Sequence, residues 1–116
     1  MTEKSKEMAI DFYSKFIDTL IPVESLEVAE TAKLLENSFR LVNISFINEI
    51  SIFCQRLGID VNGVINAAAS KPYGFMPFYP SVGVGGHCIP VDPVYLANKA
   101  DQIGIETRFI DLAVQI

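Results

Sequence analysis

Residues 23–57 contain neither glycine nor proline, and this uninterrupted stretch limits the possible folds more than any other feature of the chain. Read as one helix rising 1.5 Å per residue, it would run about 50 Å. A compact domain of 116 residues is only about 30 Å across by the usual scaling of size with length. Such a helix must bend or project beyond the rest of its domain. Phe39, Leu41, Val42, Ile44, Phe46, Ile47, Ile50, Ile52, Phe53 and Cys54 make it apolar nearly all round. A helix without a wet face is buried on several sides. The other segments are too few to cover it, so the sequence predicts a homodimer in which two such helices cross. Half of all residues are apolar, a high share for a unit this small with its poor surface-to-volume ratio, which also points to a partner.

The flanking segments read as shorter helices. Thr2 caps the first, with Glu3 in its first turn. Met8, Phe12 and Phe16, with Ala9, Tyr13, Ile17 and Leu20, extend its apolar face to a break at Pro22. Gly58 ends the long helix as a C-cap, and Asp60 caps a short third helix reaching Ala69. Residues 70–91 hold four of the seven glycines and four of the six prolines, which makes them a long loop. Its aromatics, Tyr73, Phe75, Phe78 and Tyr79, argue against disorder; they cover a base or sugar, or plug a satellite apolar cluster. Asp92-Pro93 reads as an N-cap followed by proline at the first helical position. That fourth helix runs to Gly104. A fifth pattern, Phe109, Leu112, Ala113 and Ile116, is still in phase at the last residue, which predicts a piece of a longer protein. The expected fold is all-α: one domain over residues 1–116, with about five helices around one long central helix.

Composition excludes several classes. The formal charge is −5, from 14 acidic against 9 basic residues, where a nucleic-acid binder leans the other way. No apolar run reaches the roughly 18 residues of a membrane span, and no signal peptide opens the chain. Cys54 and Cys88 give no disulfide framework, which fits a reducing compartment such as the cytoplasm. One histidine makes a zinc site improbable.

Three groups are candidates for chemistry. Residues 83–92 read Gly-Val-Gly-Gly-His-Cys-Ile-Pro-Val-Asp. Glycines let a backbone approach a ligand closely and offer N–H groups to an oxyanion or phosphate. The alternative is a plain turn beside a small buried thiol. The run is not a dinucleotide fingerprint, because the third glycine position falls on Cys88 and no strand precedes it. Lys33 and Asn37 share one helical face with Glu30, an arrangement that suits an oxyanion and a water, or simply a solvated face. The third group is the aromatic loop itself. A thiol–imidazole pair between His87 and Cys88, and with it a cysteine hydrolase, is a weak reading because adjacent side chains diverge. Cys54 reads as core. Asn48-Glu49 either pairs across the dimer or faces solvent.

Taken together, Glu30, Lys33-Leu34-Leu35-Glu36-Asn37, Asn48-Glu49 and the cysteine loop resemble the central domain of the UDP-glucose/GDP-mannose dehydrogenase family. The resemblance covers essentially the whole chain. Members oxidise the C6 alcohol of a nucleotide sugar to a carboxylate with two NAD⁺. Residues 71–80 and the run Gly-Gly-His-Cys-Ile-Pro-Val-Asp-Pro are most similar to the branch acting on UDP-N-acetylhexosamines. The resemblance implies a fold like the C-terminal domain of 6-phosphogluconate dehydrogenase. It makes Cys88 the nucleophile, passing through a thiohemiacetal and a thioester. It gives Lys33 the oxyanion, and Asn37 and Asp92 the hydrolytic water. Tyr79, Pro80, Ser81, Val82, Gly83, Val84 and Gly85 would wrap the diphosphate of the UDP-sugar. The family's loop arginine is missing between Ser70 and Cys88, and Lys71 stands in as a point charge. The family's NAD-binding Rossmann domain and C-terminal nucleotide domain do not fit in this chain. The resemblance therefore implies no cofactor or metal here, and no activity from the isolated chain. The competing reading is a purely structural helical dimerisation module. Convergence of Lys33 and Asn37 on Cys88 separates the two.

Overall fold

The computed structural model describes residues 2–116. They form five helices: α1 (Glu3–Tyr13), α2 (Leu26–Leu57), α3 (Val61–Ala69), α4 (Cys88–Gln102) and α5 (Arg108–Gln115). No strand occurs among the described residues, so the chain is all-α, as its sequence predicts. None of these helices is long and apolar enough to cross a membrane. Residues up to Lys33 form one compact unit and residues 34–116 a second.

In the first unit, the Thr2 hydroxyl accepts the Ser5 N–H at 3.2 Å and completes a capping box. The helix ends at Tyr13, short of the expected Leu20. Phe12, Tyr13 and Phe16 meet edge-to-face at 5.3–5.7 Å, yet α1 buries none of its residues. Without a buried face, nothing offsets the backbone entropy of extending so short a helix. Ser25 starts α2 by accepting the Val28 N–H at 3.3 Å. The Glu27 carboxyl is held below its ordinary value, first by its own backbone N–H and then by the Ser25 hydroxyl.

The 32 residues of α2 rise about 48 Å at 1.5 Å each. The helix stops where glycine permits a left-handed turn. Gly58 has φ +68°, and the Ile59 N–H reaches back to the Cys54 carbonyl at 2.9 Å. Gly104 ends α4 in the same way, with Ile105 bonded to the Ala100 carbonyl. Asp60 caps α3 by accepting the Asn62 and Gly63 N–H groups at 3.1 and 3.0 Å.

The core of the second unit is Leu41, Ile110 and Ala113, with Val42, Val84, Ile89, Leu96 and Ala97 packed around it. Ser45 Oγ donates to the Ala113 carbonyl at 2.8 Å and ties α2 to α5. The all-round apolar pattern of α2 divides into two strips. Leu41, Ile47 and Cys54 are buried, while Phe46, Ile52 and Phe53 are 56–60% exposed.

The start of α4 differs from the expected one. The helix begins at Cys88, with His87 as a cap residue that makes no side-chain bond, so Asp92 lies inside the helix and caps nothing. Pro90 falls in the first turn, where a missing N–H has no intrahelical acceptor to disappoint. Pro93 removes one bond further in, offset by its full burial.

Candidate functional site

With α4 beginning at Cys88, the thiol is exposed at the helix N-terminus and Asp92 follows one turn later on the same face. Released from capping, the Asp92 carboxylate finds a distant partner. Asn37 Nδ2 donates to Asp92 Oδ2 at 2.5 Å, linking α2 to α4. Asn37 is only 3% exposed, so its amide has little water to turn to. A hydrogen bond to a charged acceptor in such a place is worth about 1.5–3 kcal/mol. The contact leaves a carboxylate oriented by a carboxamide, one turn from a free thiol.

The loop before Cys88 is held at several points. The Ser81 N–H donates to Asn48 Oδ1 at 3.0 Å, and Ser81 Oγ donates to the Gly83 carbonyl at 2.6 Å. The Tyr79 hydroxyl bonds Asn66 Oδ1 of α3 at 3.1 Å. Phe78 meets Phe39 edge-to-face at 5.7 Å, and Val84 and Ile89 dip into the core. Gly83, Gly85 and Gly86 have φ of +72°, +65° and +72°, and a Cβ on any of them would touch nothing within 4 Å. Glycine is thus required for backbone conformation and not for space. Backbone N–H groups in turns of this kind form anion-binding concavities.

These contacts refine the expected roles. Among residues 79–85, Pro80 has no N–H and that of Ser81 is committed to Asn48. After Ser81 the next backbone donor is that of Val82, whose side chain is fully exposed. Tyr79 spends its hydroxyl on Asn66, and Lys71 Nζ sits 5.2 Å from the centre of the Tyr73 ring, a cation–π contact. The aromatic loop plugs its cluster only in part. Phe75, Met76 and Phe78 line an apolar groove of about 520 Å³ with Phe39, Phe46 and Ile47, while Tyr73 stays exposed.

Of the residues singled out in the sequence, Asn37 and Asp92 are bonded to each other, and Cys88 lies one helical turn before Asp92 on α4. Lys33 lies on α2 one turn before Asn37. Cys54 is core, at 3% exposure. Asn48 and Asn66 were not expected as loop anchors. The available signal was spacing: Asn48 follows Asn37 by eleven residues, close to three helical turns, and shares its face.

Residues 27–116 match the pattern that defines the central domain of the UDP-glucose/GDP-mannose dehydrogenase family. The chain is 51% identical over 86 residues to a UDP-N-acetyl-D-glucosamine 6-dehydrogenase of Pseudomonas aeruginosa, covering 74% of this chain and 20% of that protein. It is 44% identical over 110 residues to the enzyme of the same name from Salmonella typhi, covering 94% and 25%. It is also 44% identical over 99 residues to a UDP-N-acetyl-D-mannosamine dehydrogenase of Campylobacter jejuni, covering 85% and 24%. The chain therefore spans a fifth to a quarter of the length of these relatives. An all-helical chain with this cysteine loop and these matches belongs to the UDP-glucose/GDP-mannose dehydrogenase family, whose central domain it represents.

Proposed function

We propose that this chain is the substrate-handling and dimerising domain of an NAD-dependent UDP-sugar 6-dehydrogenase, acting on a UDP-N-acetylhexosamine. The observation that carries the reading is the Asn37–Asp92 contact one turn from the exposed Cys88. The names of the relatives supply the substrate class.

In this reading Cys88 Sγ, as the thiolate, adds to the carbonyl carbon of the C6 aldehyde. A C–S bond forms and the carbonyl electron pair moves onto oxygen. Lys33 stabilises that oxyanion. At the thioester stage Asn37 and Asp92 hold a water. Its oxygen attacks the acyl carbon, Asp92 takes the proton, and the C–S bond breaks with the thiolate leaving. Sulfur suits both halves of this task, being a strong nucleophile and a good leaving group. Backbone N–H groups of residues 82–85, with Lys71 as a point charge, hold the diphosphate.

The chain's own residues do not fit the nicotinamide cofactor. A dinucleotide site needs a strand leading into the glycine turn, and no strand occurs among the described residues. Hydride removal is therefore assigned to no residue here. A working free thiol calls for a reducing compartment, which makes the cytoplasm the expected location.

The full-length protein carrying this domain should form two NADH per uronate from a UDP-N-acetylhexosamine, while the isolated chain forms none. Absence of NADH with every UDP- and GDP-sugar tried would overturn the reading. The purely structural alternative accounts for the tie between α2 and α4 but gives no reason for an exposed thiol beside it.

The second copy is proposed to cover Phe46, Ile52 and Phe53 of α2. Burying such side chains is worth about 1.5–3 kcal/mol each. Light scattering should return twice the chain mass of 12.8 kDa. A clean 12.8 kDa monomer at high concentration would contradict the dimer.

A further inference from the structure

We propose that Asn48 is a positioning residue that, paired with Asn37, brackets the cysteine loop and the start of α4 from one face of α2. Asn37 and Asn48 are eleven residues apart, and so are their partners, Asp92 and Ser81. The pairing runs antiparallel: the earlier asparagine holds Asp92, in the second turn of α4 beyond the loop, and the later one holds Ser81 near its start. Two carboxamides about 16 Å apart on one helix thus bracket the segment 81–92, which carries the three left-handed glycines and Cys88. Between the brackets, Val84 and Ile89 are set into the core.

The bracket is needed because glycines lose more conformational freedom on ordering than any other residue. Asn48 supplies an acceptor to the Ser81 N–H, and the Ser81 hydroxyl then closes a tight turn onto the Gly83 carbonyl. That turn fixes where the N–H groups after Ser81 point. Asn48 touches no substrate in this account; it acts through the loop. Its effect on substrate rests on the reading that residues 82–85 hold a diphosphate.

The test has a structural arm and a kinetic arm. Asn48→Leu keeps the size of the side chain and removes the acceptor. In the 116-residue chain, exchange of the Ser81 amide should accelerate about tenfold, the size of effect one hydrogen bond carries, while amides of α2 keep their protection. In the full-length enzyme, KM for the UDP-sugar should rise about tenfold with kcat within about threefold, since only substrate holding is lost. Asn48→Asp keeps an acceptor oxygen and should restore Ser81 protection. Ser81→Pro removes the donor from an exposed loop position, independently of how α2 tolerates leucine, and should raise KM likewise. Unchanged Ser81 exchange in Asn48→Leu overturns the positioning role, whatever the kinetics. Lost protection with unchanged KM overturns the proposal at its other end, showing a real anchor on a loop that holds no diphosphate. A parent-like KM in Ser81→Pro does the same.

Discussion

Cys88→Ser is expected to lower turnover of the full-length enzyme by a factor on the order of a thousand or more, a loss of about 4 kcal/mol in transition-state stabilisation. The substitution changes one atom on an exposed side chain at the first position of α4, so the fold should be indifferent to it. Surface changes of this kind stay within about 0.5 kcal/mol. The chemistry is not indifferent. A serine hydroxyl at neutral pH is a weak nucleophile unless a base removes its proton. The only imidazole in the chain is that of His87, which makes no side-chain hydrogen bond at the cap of α4, and adjacent side chains diverge. An alkoxide is also a poorer leaving group than a thiolate when water must release the acid. Initial rates of NADH formation and the yield of uronate measure the effect. Normal uronate yield from the serine variant would contradict the assignment of the nucleophile.

The Asn37–Asp92 contact predicts a pH signature that a local surface contact would not have. Asn37→Asp places a second carboxyl where the amide nitrogen now lies 2.5 Å from the Asp92 oxygen, at a position only 3% exposed. Two carboxylates cannot both stay charged at that distance, so one proton is retained between them. The folded pair then titrates above the ordinary carboxyl range, and the native state binds more protons than the unfolded one. By linkage, stability falls as pH rises through that window. Urea unfolding should find the variant destabilised by about 3 kcal/mol or more at pH 7, the cost of an uncompensated buried charge. Most of the loss should be recovered near pH 4, where one shared proton restores an O–H···O bond. Asn37→Ala should lose about 2–3 kcal/mol with no such slope, because it removes a hydrogen bond without adding a charge. A flat pH profile for Asn37→Asp would mean that the two side chains do not meet.

The end of α2 was legible because a helix without internal glycine or proline must end at Gly58, and Asp60 is a cap whose partners are two and three residues away, but the helix starts at Leu26 and not at the head of the stretch 23–57. The end of α1 was not legible, since its amphipathic pattern promises a buried face that the first unit does not provide. The start of α4 departs from its local sequence pattern for a related reason. Asp92-Pro93 has the local form of a cap, but the carboxylate prefers an amide 55 residues away, and Pro90 fits the first turn of a longer helix. The candidate site follows from that displacement. Cys88 and Asp92 share a face only when both lie in the helix. The residue pattern itself singles out Cys88 and Asn37, the role of Asp92 comes from the family resemblance, and Asn48 stays between two roles. A carboxamide on an apolar helix serves either, and its partner at Ser81 lies 33 residues downstream.

The central claim is that Cys88 carries the sugar carbon while Asn37 and Asp92 direct the water that releases it. The most direct measurement is peptide mass spectrometry of the full-length Asn37→Ala enzyme, quenched during turnover with a UDP-N-acetylhexosamine and NAD⁺. With the water poorly held, hydrolysis slows and the acyl group should accumulate as a thioester on the peptide containing Cys88, released by hydroxylamine. An unmodified Cys88 in an enzyme that is still turning over, or an adduct on any other residue, would contradict the account.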